Sequence, residues 1–197
     1  MAEEQEVYLT PLDNYLKVGL HIGTKFRTKY MAPFIYKVRP DGLAVLNIKE
    51  IDKRIEIASK FISRYEPNEI LLVCRRENGW NALGLFAKVT GIKAYLGRYP
   101  PGIMTNPELK NFTEMKLVIV CDPWPDKNVV DDASRTGTAV LALCDTNNTS
   151  NNIDLLIPCN NKGKKSIGII FYILAREYLK SRGKTLDIPI EEFTKED

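Results

Sequence analysis

The chain has 197 residues, 44% of them hydrophobic, enough to bury one core and in keeping with a single domain of somewhat above average size. No stretch approaches the roughly 18 consecutive apolar residues of a membrane span, and the acidic first ten residues lack the basic-then-apolar order of a signal peptide, so a cytoplasmic protein without membrane contact is expected. The formal net charge of +3 is too near neutral to single out a polyanion binder, but residues 1–10 and 184–197 each carry −3, which leaves +9 on residues 11–183.

Thr10 followed by Pro11 reads as an N-cap and first helical position, opening a short helix through Leu12, Tyr15 and Leu16 that Gly19 stops. The 27 residues from Asn14 to Pro40 contain no Asp or Glu, while Lys17, Lys25, Arg27, Lys29, Lys37 and Arg39 supply six positive charges. Tyr15, Phe26, Tyr30, Phe34 and Tyr36 lie among them as flat surfaces suited to stacking on bases, and Gly19 and Gly23 allow close backbone approach. A nucleic acid is the natural partner of such a segment. Phe34 to Val38 and Leu43 to Leu46 flank the turn signal Arg39-Pro-Asp-Gly42, which predicts a hairpin in which Phe34 and Tyr36 pack and leaves the loop from His21 to Tyr30 as the grip.

Asn47 with Glu50 resembles a capping box, and Ile48, Ile51, Ile55, Ala58, Ile62 and Tyr65 recur at helical spacing until Pro67 halts the pattern. Glu69 to Arg75 is a compact apolar run that predicts a strand, followed by a helix from about Asn78 to Thr90 ending at Gly91. Short strands at Ala94 to Leu96 and Leu117 to Cys121, a polar helix near Lys127 to Arg135, and strands at Ala139 to Cys144 and Leu155 to Ile157 follow. A long helix from about Lys165 to Ser181 ends at Gly183, and residues 184–197 are expected to form an extended, acidic C-terminal tail, matched by an acidic tail over residues 1–10. Apolar runs without polar alternation imply strands covered on both faces, and strand–helix alternation implies an α/β domain over residues 11–183 with a mostly parallel, doubly wound sheet.

Such sheets often hold cofactors at the carboxyl ends of their strands, but the specific signs are missing. No G-x-G-x-x-G follows a strand, and Asn160-Asn-Lys-Gly-Lys-Lys-Ser166 fails as a P-loop because Ile157 stands where the first glycine is needed. Asp122 and Asp145 close strands, where a catalytic or magnesium-binding carboxylate sits in phosphoryl-transfer domains; both are also ordinary turn starters. A nucleotide- or phosphate-handling enzyme is therefore the rival reading. His21 is the only histidine and reads as a structural or RNA-contacting imidazole rather than part of a nucleophilic relay. Cys74, Cys121, Cys144 and Cys159, far apart in apolar runs, read as reduced core thiols, and no metal, cofactor or small-molecule substrate is expected. Two further places suit a polyanion: Lys162, Lys164 and Lys165 at the start of the last helix, where backbone amides could join them around a phosphate, and Arg98 in the stiff loop Gly97-Arg-Tyr-Pro-Pro-Gly102.

Longer blocks carry a resemblance. Gly19-Leu-His-Ile-Gly-Thr24, Phe34-Ile-Tyr-Lys-Val-Arg-Pro-Asp-Gly42, Gly97-Arg-Tyr-Pro-Pro-Gly-Ile-Met-Thr-Asn-Pro107, Asp145-Thr-Asn147 and Ile157-Pro-Cys-Asn-Asn-Lys-Gly163 leading to Leu174-Ala-Arg-Glu177 occur in that order. Spanning about residues 8–183, they resemble the universal S-two family of small-subunit ribosomal proteins in its archaeal and eukaryotic form. The resemblance implies a flavodoxin-like fold with an N-terminal hairpin and flexible acidic tails. It also implies a structural, non-catalytic place in the small ribosomal subunit, with ribosomal RNA and neighbouring ribosomal proteins as partners. Candidate RNA contacts on this reading are His21, Lys25, Arg27, Lys29, Arg98, Lys162, Lys164 and Lys165. Bacterial relatives insert a long coiled-coil arm where this chain has only Glu108 to Lys116, and the long acidic extension of the eukaryotic laminin-receptor branch is missing, so that receptor role is not carried over. One departure stands out: Asp122-Pro-Trp-Pro125 replaces the Asp-Pro-Arg-Ala that archaeal relatives tend to show, which puts any contact of that arginine in doubt.

Overall fold

The computed structural model describes residues 8–195, so most of the acidic stretch 1–10 and the last two residues of 184–197 lie outside the described residues. A short helix α1 (Leu12–Lys17) leads through an irregular segment to an antiparallel hairpin, β1 (Ile35–Val38) and β2 (Ala44–Leu46). Helix α2 (Ile48–Ile62) follows, then β3 (Ile70–Cys74), α3 (Trp80–Thr90), β4 (Lys93–Leu96), β5 (Leu117–Val120), α4 (Lys127–Thr136), β6 (Ala139–Cys144), β7 (Leu155–Pro158), α5 (Lys164–Ser181) and α6 (Ile190–Phe193). The last five strands form one parallel sheet in the order β4-β3-β5-β6-β7. Counted along the chain within that sheet the order is 2-1-3-4-5, the flavodoxin-like arrangement.

The local chemistry explains the element ends. Asn47 caps α2 by accepting the Lys49 amide at 3.1 Å, which meets an orphan donor of the first turn. Helices α3 and α4 stop at Gly91 and Gly137, both in the left-handed conformation that glycine adopts without steric cost. Every residue of β3 and β5 is buried, as expected for parallel strands covered on both faces. Right-handed crossovers running in opposite directions along the sheet place α3 and α4 on opposite faces. Helices α2 and α3 pack on α5, where Phe86 and Phe171 meet edge to face at 5.4 Å between centroids. Helix α4 lies against β5 and β6, and the loop after β4 joins it through the Tyr99 hydroxyl, which donates to Asp132 at 3.3 Å.

Three expectations change. The first helix begins one residue later than its Thr10-Pro11 signal, since Pro11 stands outside it and Thr10 makes no capping bond. Of the two aromatics expected to pack the hairpin, Phe34 is buried, in the 3-10 turn ahead of β1, but Tyr36 is 69% exposed, at a bulge between Ile35 and Lys37 on a strand whose residues from Tyr36 to Val38 all face solvent. The 184–197 segment is not wholly extended: α6 folds back on α5, burying the Phe193 ring edge to face with Tyr172. Gly168 makes this possible, since a Cβ there would stand 2.2 Å from the Phe193 carbonyl oxygen. The four cysteines are free and buried, as expected of core thiols.

Candidate nucleic-acid interface

All the candidate segments gather at the carboxyl edge of the parallel sheet. The chain after α1 crosses this edge beside β7, where the Asn160 amide donates to the Leu20 carbonyl at 3.0 Å. It then runs along the hairpin, with Gly23 N–H donating to Ala44 O at 3.0 Å and Ala44 N–H to Thr24 O at 3.1 Å. On its other side it is fastened to the loop after β6. The Thr24 amide donates to Thr146 Oγ1 at 2.9 Å, the Thr28 amide donates to the Thr146 carbonyl at 3.0 Å, and the Thr28 hydroxyl donates to the Asn148 carbonyl at 2.7 Å. Gly23 is required for the close approach: a Cβ at that position would lie 2.5 Å from Thr146 Cγ2 and 3.1 Å from Ala44 O.

Between the two pins, Lys25, Phe26 and Arg27 project outward, with Phe26 81% exposed, and Lys29 and Tyr30 follow on the surface. The basic segment is thus a tip held at both ends, which removes much of the entropy a free loop would lose on binding. None of Lys25, Arg27, Lys29 and Arg98 joins an ion pair with a described residue.

The remaining candidates separate. Arg98 is exposed at the end of β4, three strand spacings from β6, roughly 14 Å at strand level. Its aromatic neighbour Tyr99 is buried on Asp132 and offers no stacking face. His21 sits beside the α1–hairpin groove, not on the tip; its Nδ1 is buried without a hydrogen-bond partner, and burial lowers its pKa below the usual histidine range. The imidazole is therefore poorly placed to bring a positive charge to a phosphate. Lys162 turns inward, its Nζ donating to Asp145 at 3.0 Å and to Asn147 Oδ1 at 3.2 Å. Lys164 and Lys165 open α5, but the amides just ahead of them, Lys162 and Gly163, already donate to Asn160 Oδ1 at 3.1 and 3.2 Å. The loop leading into the helix is thus satisfied from within, while Gly163 at the N-cap offers the first turn no side-chain cap.

The carboxylates of the rival enzyme reading are committed in the same way. Asp122 is 1% exposed; Oδ2 takes Arg76 Nε and Nη2, both at 2.6 Å, and Oδ1 takes the Trp124 amide and the Asn148 side-chain amide, both at 3.0 Å. Asp145, equally buried, accepts from the Thr146 amide at 2.6 Å and from Lys162. Arg76 and Asp122 follow β3 and β5, the two strands between which the order reverses and where this fold usually admits a ligand. The crevice is filled by an ion pair. Asp126, just beyond it, accepts the Arg75 amide at 3.1 Å, and burial raises its pKa to about 6. Among the described residues no group of three or more His, Cys, Asp or Glu is placed to hold a metal ion.

Sequence reasoning missed Arg75, Arg76 and Lys127, which lie at this edge for a topological reason: each directly follows a buried strand or opens the next helix. For Arg75 and Arg76 the signal was available in the apolar run of β3 that they terminate, and for Lys127 in its place at the start of α4. Thr24, Thr28 and Thr146 gave none, because the pin joins positions 122 residues apart.

The fold and this edge define the class: a flavodoxin-like α/β protein whose strand-end carboxylates are closed by ion pairs and whose outward loop carries cations with no acid partner among the described residues. The comparisons are specific. A profile described as Ribosomal protein S2 matches residues 107–181. The chain is similar to the small ribosomal subunit protein uS2 of Nanoarchaeum equitans, 50% identical over 190 residues that cover 94% of each chain. It is 46% identical over 201 residues to that of Pyrobaculum islandicum, covering 98% of this chain and 97% of the relative. With that of Methanococcus maripaludis it shares 46% identity over 178 residues, 90% of this chain and 81% of the relative. The chain belongs to the ribosomal protein S2 family, whose members are structural, non-enzymatic constituents of the small ribosomal subunit.

Proposed function

We propose that the carboxyl edge of the sheet binds ribosomal RNA of the small subunit, with the Lys25-Phe26-Arg27 tip and Lys29 as its main grip and Arg98 as a second contact at the far side of the sheet. The observation that carries this reading is the double pin at Thr24 and Thr28, which holds three outward residues, two of them cationic, with no acid to neutralise them. Lys164 and Lys165 add charge at the start of α5, while Lys162 and His21 serve the fold first. Phosphate contacts of this kind position the protein, and recognition is mainly of RNA shape.

Neighbouring ribosomal proteins meet other surfaces. The groove between α1 and the hairpin, about 520 Å³, is bordered by Leu12, Leu16, Ile22 and Tyr36, all exposed, and offers a partner a continuous apolar contact. The working place is the cytoplasm; no described helix is long and apolar enough to cross a membrane.

Binding of the intact chain to small-subunit RNA tests the proposal. If six to eight phosphates are neutralised, affinity falls by orders of magnitude between about 50 and 200 mM salt, with duplex counterion release as the upper guide. A flat salt response contradicts the reading. Nucleotides with magnesium are expected to leave the melting temperature unchanged; a clear upward shift would favour the phosphate-handling alternative.

A further inference from the structure

Beside the pinned loop lies a second feature that charge does not explain. Trp124 is 70% exposed at the end of β5, on the rim of a groove of about 480 Å³ between α4 and the loops that follow β6. A large apolar ring so exposed would be costly to hold in one place without help, and the chain supplies that help. Pro123 and Pro125 flank it, its amide donates to Asp122 Oδ1 at 3.0 Å, and the Pro125 carbonyl accepts Arg75 Nη1 at 3.4 Å. The backbone that presents the ring is thus fixed on both sides.

Polar side chains line the groove alongside the apolar surface of Pro123, Trp124 and Val130. Thr149, Asn151 and Asn152 bring one hydroxyl and two amides whose side chains make no hydrogen bond to a described residue, and Lys127 and Asp131 stand one helical turn apart on α4. Asp131 disfavours a phosphate inside the groove. A carboxylate beside neutral amides instead matches the mixed donors and acceptors of a base edge, and Lys127 suits the phosphate next to it. The volume lies in the range of small-ligand sites. The groove is also continuous with the pinned loop, since Thr149 belongs to the same turn after β6 as Thr146 and Asn148, which hold Thr24 and Thr28.

We infer that this groove receives one unstacked base of a single-stranded stretch of the bound RNA, stacked on the Trp124 indole with its edge toward Asn151, Asn152 and Asp131. The inference rests on the ribosomal RNA reading above and deepens it, from shape recognition by cations to capture of a flipped-out nucleotide. Stacking tolerates any base, since each has a π face; the amides and the carboxylate add a preference among them.

The test uses the full chain, small-subunit ribosomal RNA and two variants, Trp124→Ala and Trp124→Phe. Both are expected to fold, because the ring is mostly exposed. Trp124→Ala weakens RNA binding about 5- to 100-fold with an unchanged salt slope, whereas Trp124→Phe, which keeps a stacking face, retains most of the affinity. RNA also quenches the part of the emission that disappears in Trp124→Phe, leaving that of Trp80. Equal affinity of Trp124→Ala and the intact chain, or emission from Trp124 that RNA leaves unaltered, overturns the inference while salt-dependent binding keeps the parent reading standing. Should Trp124→Ala bind RNA normally yet fail to join the small subunit, the occupant is a protein and the inference is wrong. Absence of salt-dependent RNA binding by the intact chain removes both.

Discussion

The two edges of the parallel sheet use charge in opposite ways. At the amino edge, charged groups pair with one another: Lys116 with Glu69 beside the starts of β5 and β3, and Arg182 with Glu66 at 2.9 Å. Asp154, ahead of β7, spends a carboxylate oxygen on the Val140 amide at 2.8 Å. At the carboxyl edge the charges form two layers. In an inner layer the buried carboxylates of Asp122 and Asp145 are closed off by Arg76 and Lys162, which are themselves partly exposed. An outer layer, Lys25, Arg27, Lys29 and Arg98, is exposed and has no acid partner among the described residues. The inner layer turns a crevice that could hold a ligand into a platform, and the outer layer stands on it. A fold that commonly serves catalysis thereby becomes a mount.

The largest effect is expected in the inner layer. Arg76→Ala leaves the Asp122 carboxylate buried without its cation, and should cost about 3 kcal/mol, roughly 6–12 °C in thermal unfolding for a chain of this size. An unchanged melting temperature would show that the inner pair is not what closes the crevice. Replacing Lys25, Arg27 and Lys29 together with alanine should do the reverse: about 100-fold weaker binding to small-subunit RNA and a salt slope lower by about three, with little change in melting temperature. Lys116→Ala at the other edge, changing one cation of an exposed pair, is expected to leave RNA affinity as it was. Equal losses from the two edges would erase the distinction between them.

Smaller effects sharpen the comparison. Gly23→Ala drives a methyl against Thr146 and the Ala44 carbonyl, and should destabilise by roughly 1–3 kcal/mol. Because the same strain shifts the tip, RNA affinity falls several-fold while every cation remains; unchanged affinity would mean that the pins do not orient it. Asp126 gives the smallest effect, with a definite sign. Its pKa in the folded protein, about 6, lies above the ordinary 3.8, so the folded state holds the proton more tightly than the unfolded one. Its contribution therefore favours folding at low pH and is lost as pH rises through about 4 to 6. Asp126→Asn, which keeps an acceptor for the Arg75 amide, should flatten that window in pH-dependent unfolding and add on the order of 1 kcal/mol at neutral pH.

Much of this architecture is legible along the chain. The runs Ile70–Cys74, Leu117–Val120 and Ala139–Cys144 announce buried parallel strands because they lack polar alternation, and Gly91 and Gly183 mark helix ends that the structure keeps. Local turn chemistry at Arg39-Pro-Asp-Gly42 likewise gives the hairpin, where the Gly42 amide donates to Arg39 O at 2.9 Å. The site is legible only as composition. Lys25 and Lys162 look alike in sequence, both beside glycine-containing polar turns, yet one faces solvent and the other finds Asp145. That choice depends on which strand ends become neighbours, which no local pattern encodes. Phe193 was hidden for a similar reason: its seat is Gly168, on a helix whose apolar periodicity gives no hint of an empty place.

Lysine acetylation, measured on the full chain free and bound to small-subunit RNA, compares the two edges in one experiment. The account predicts that RNA protects Lys25 and Lys29, with Lys127 following, while Lys116 stays as reactive as in the free protein. Protection of Lys116 with Lys25 and Lys29 left fully reactive would contradict it.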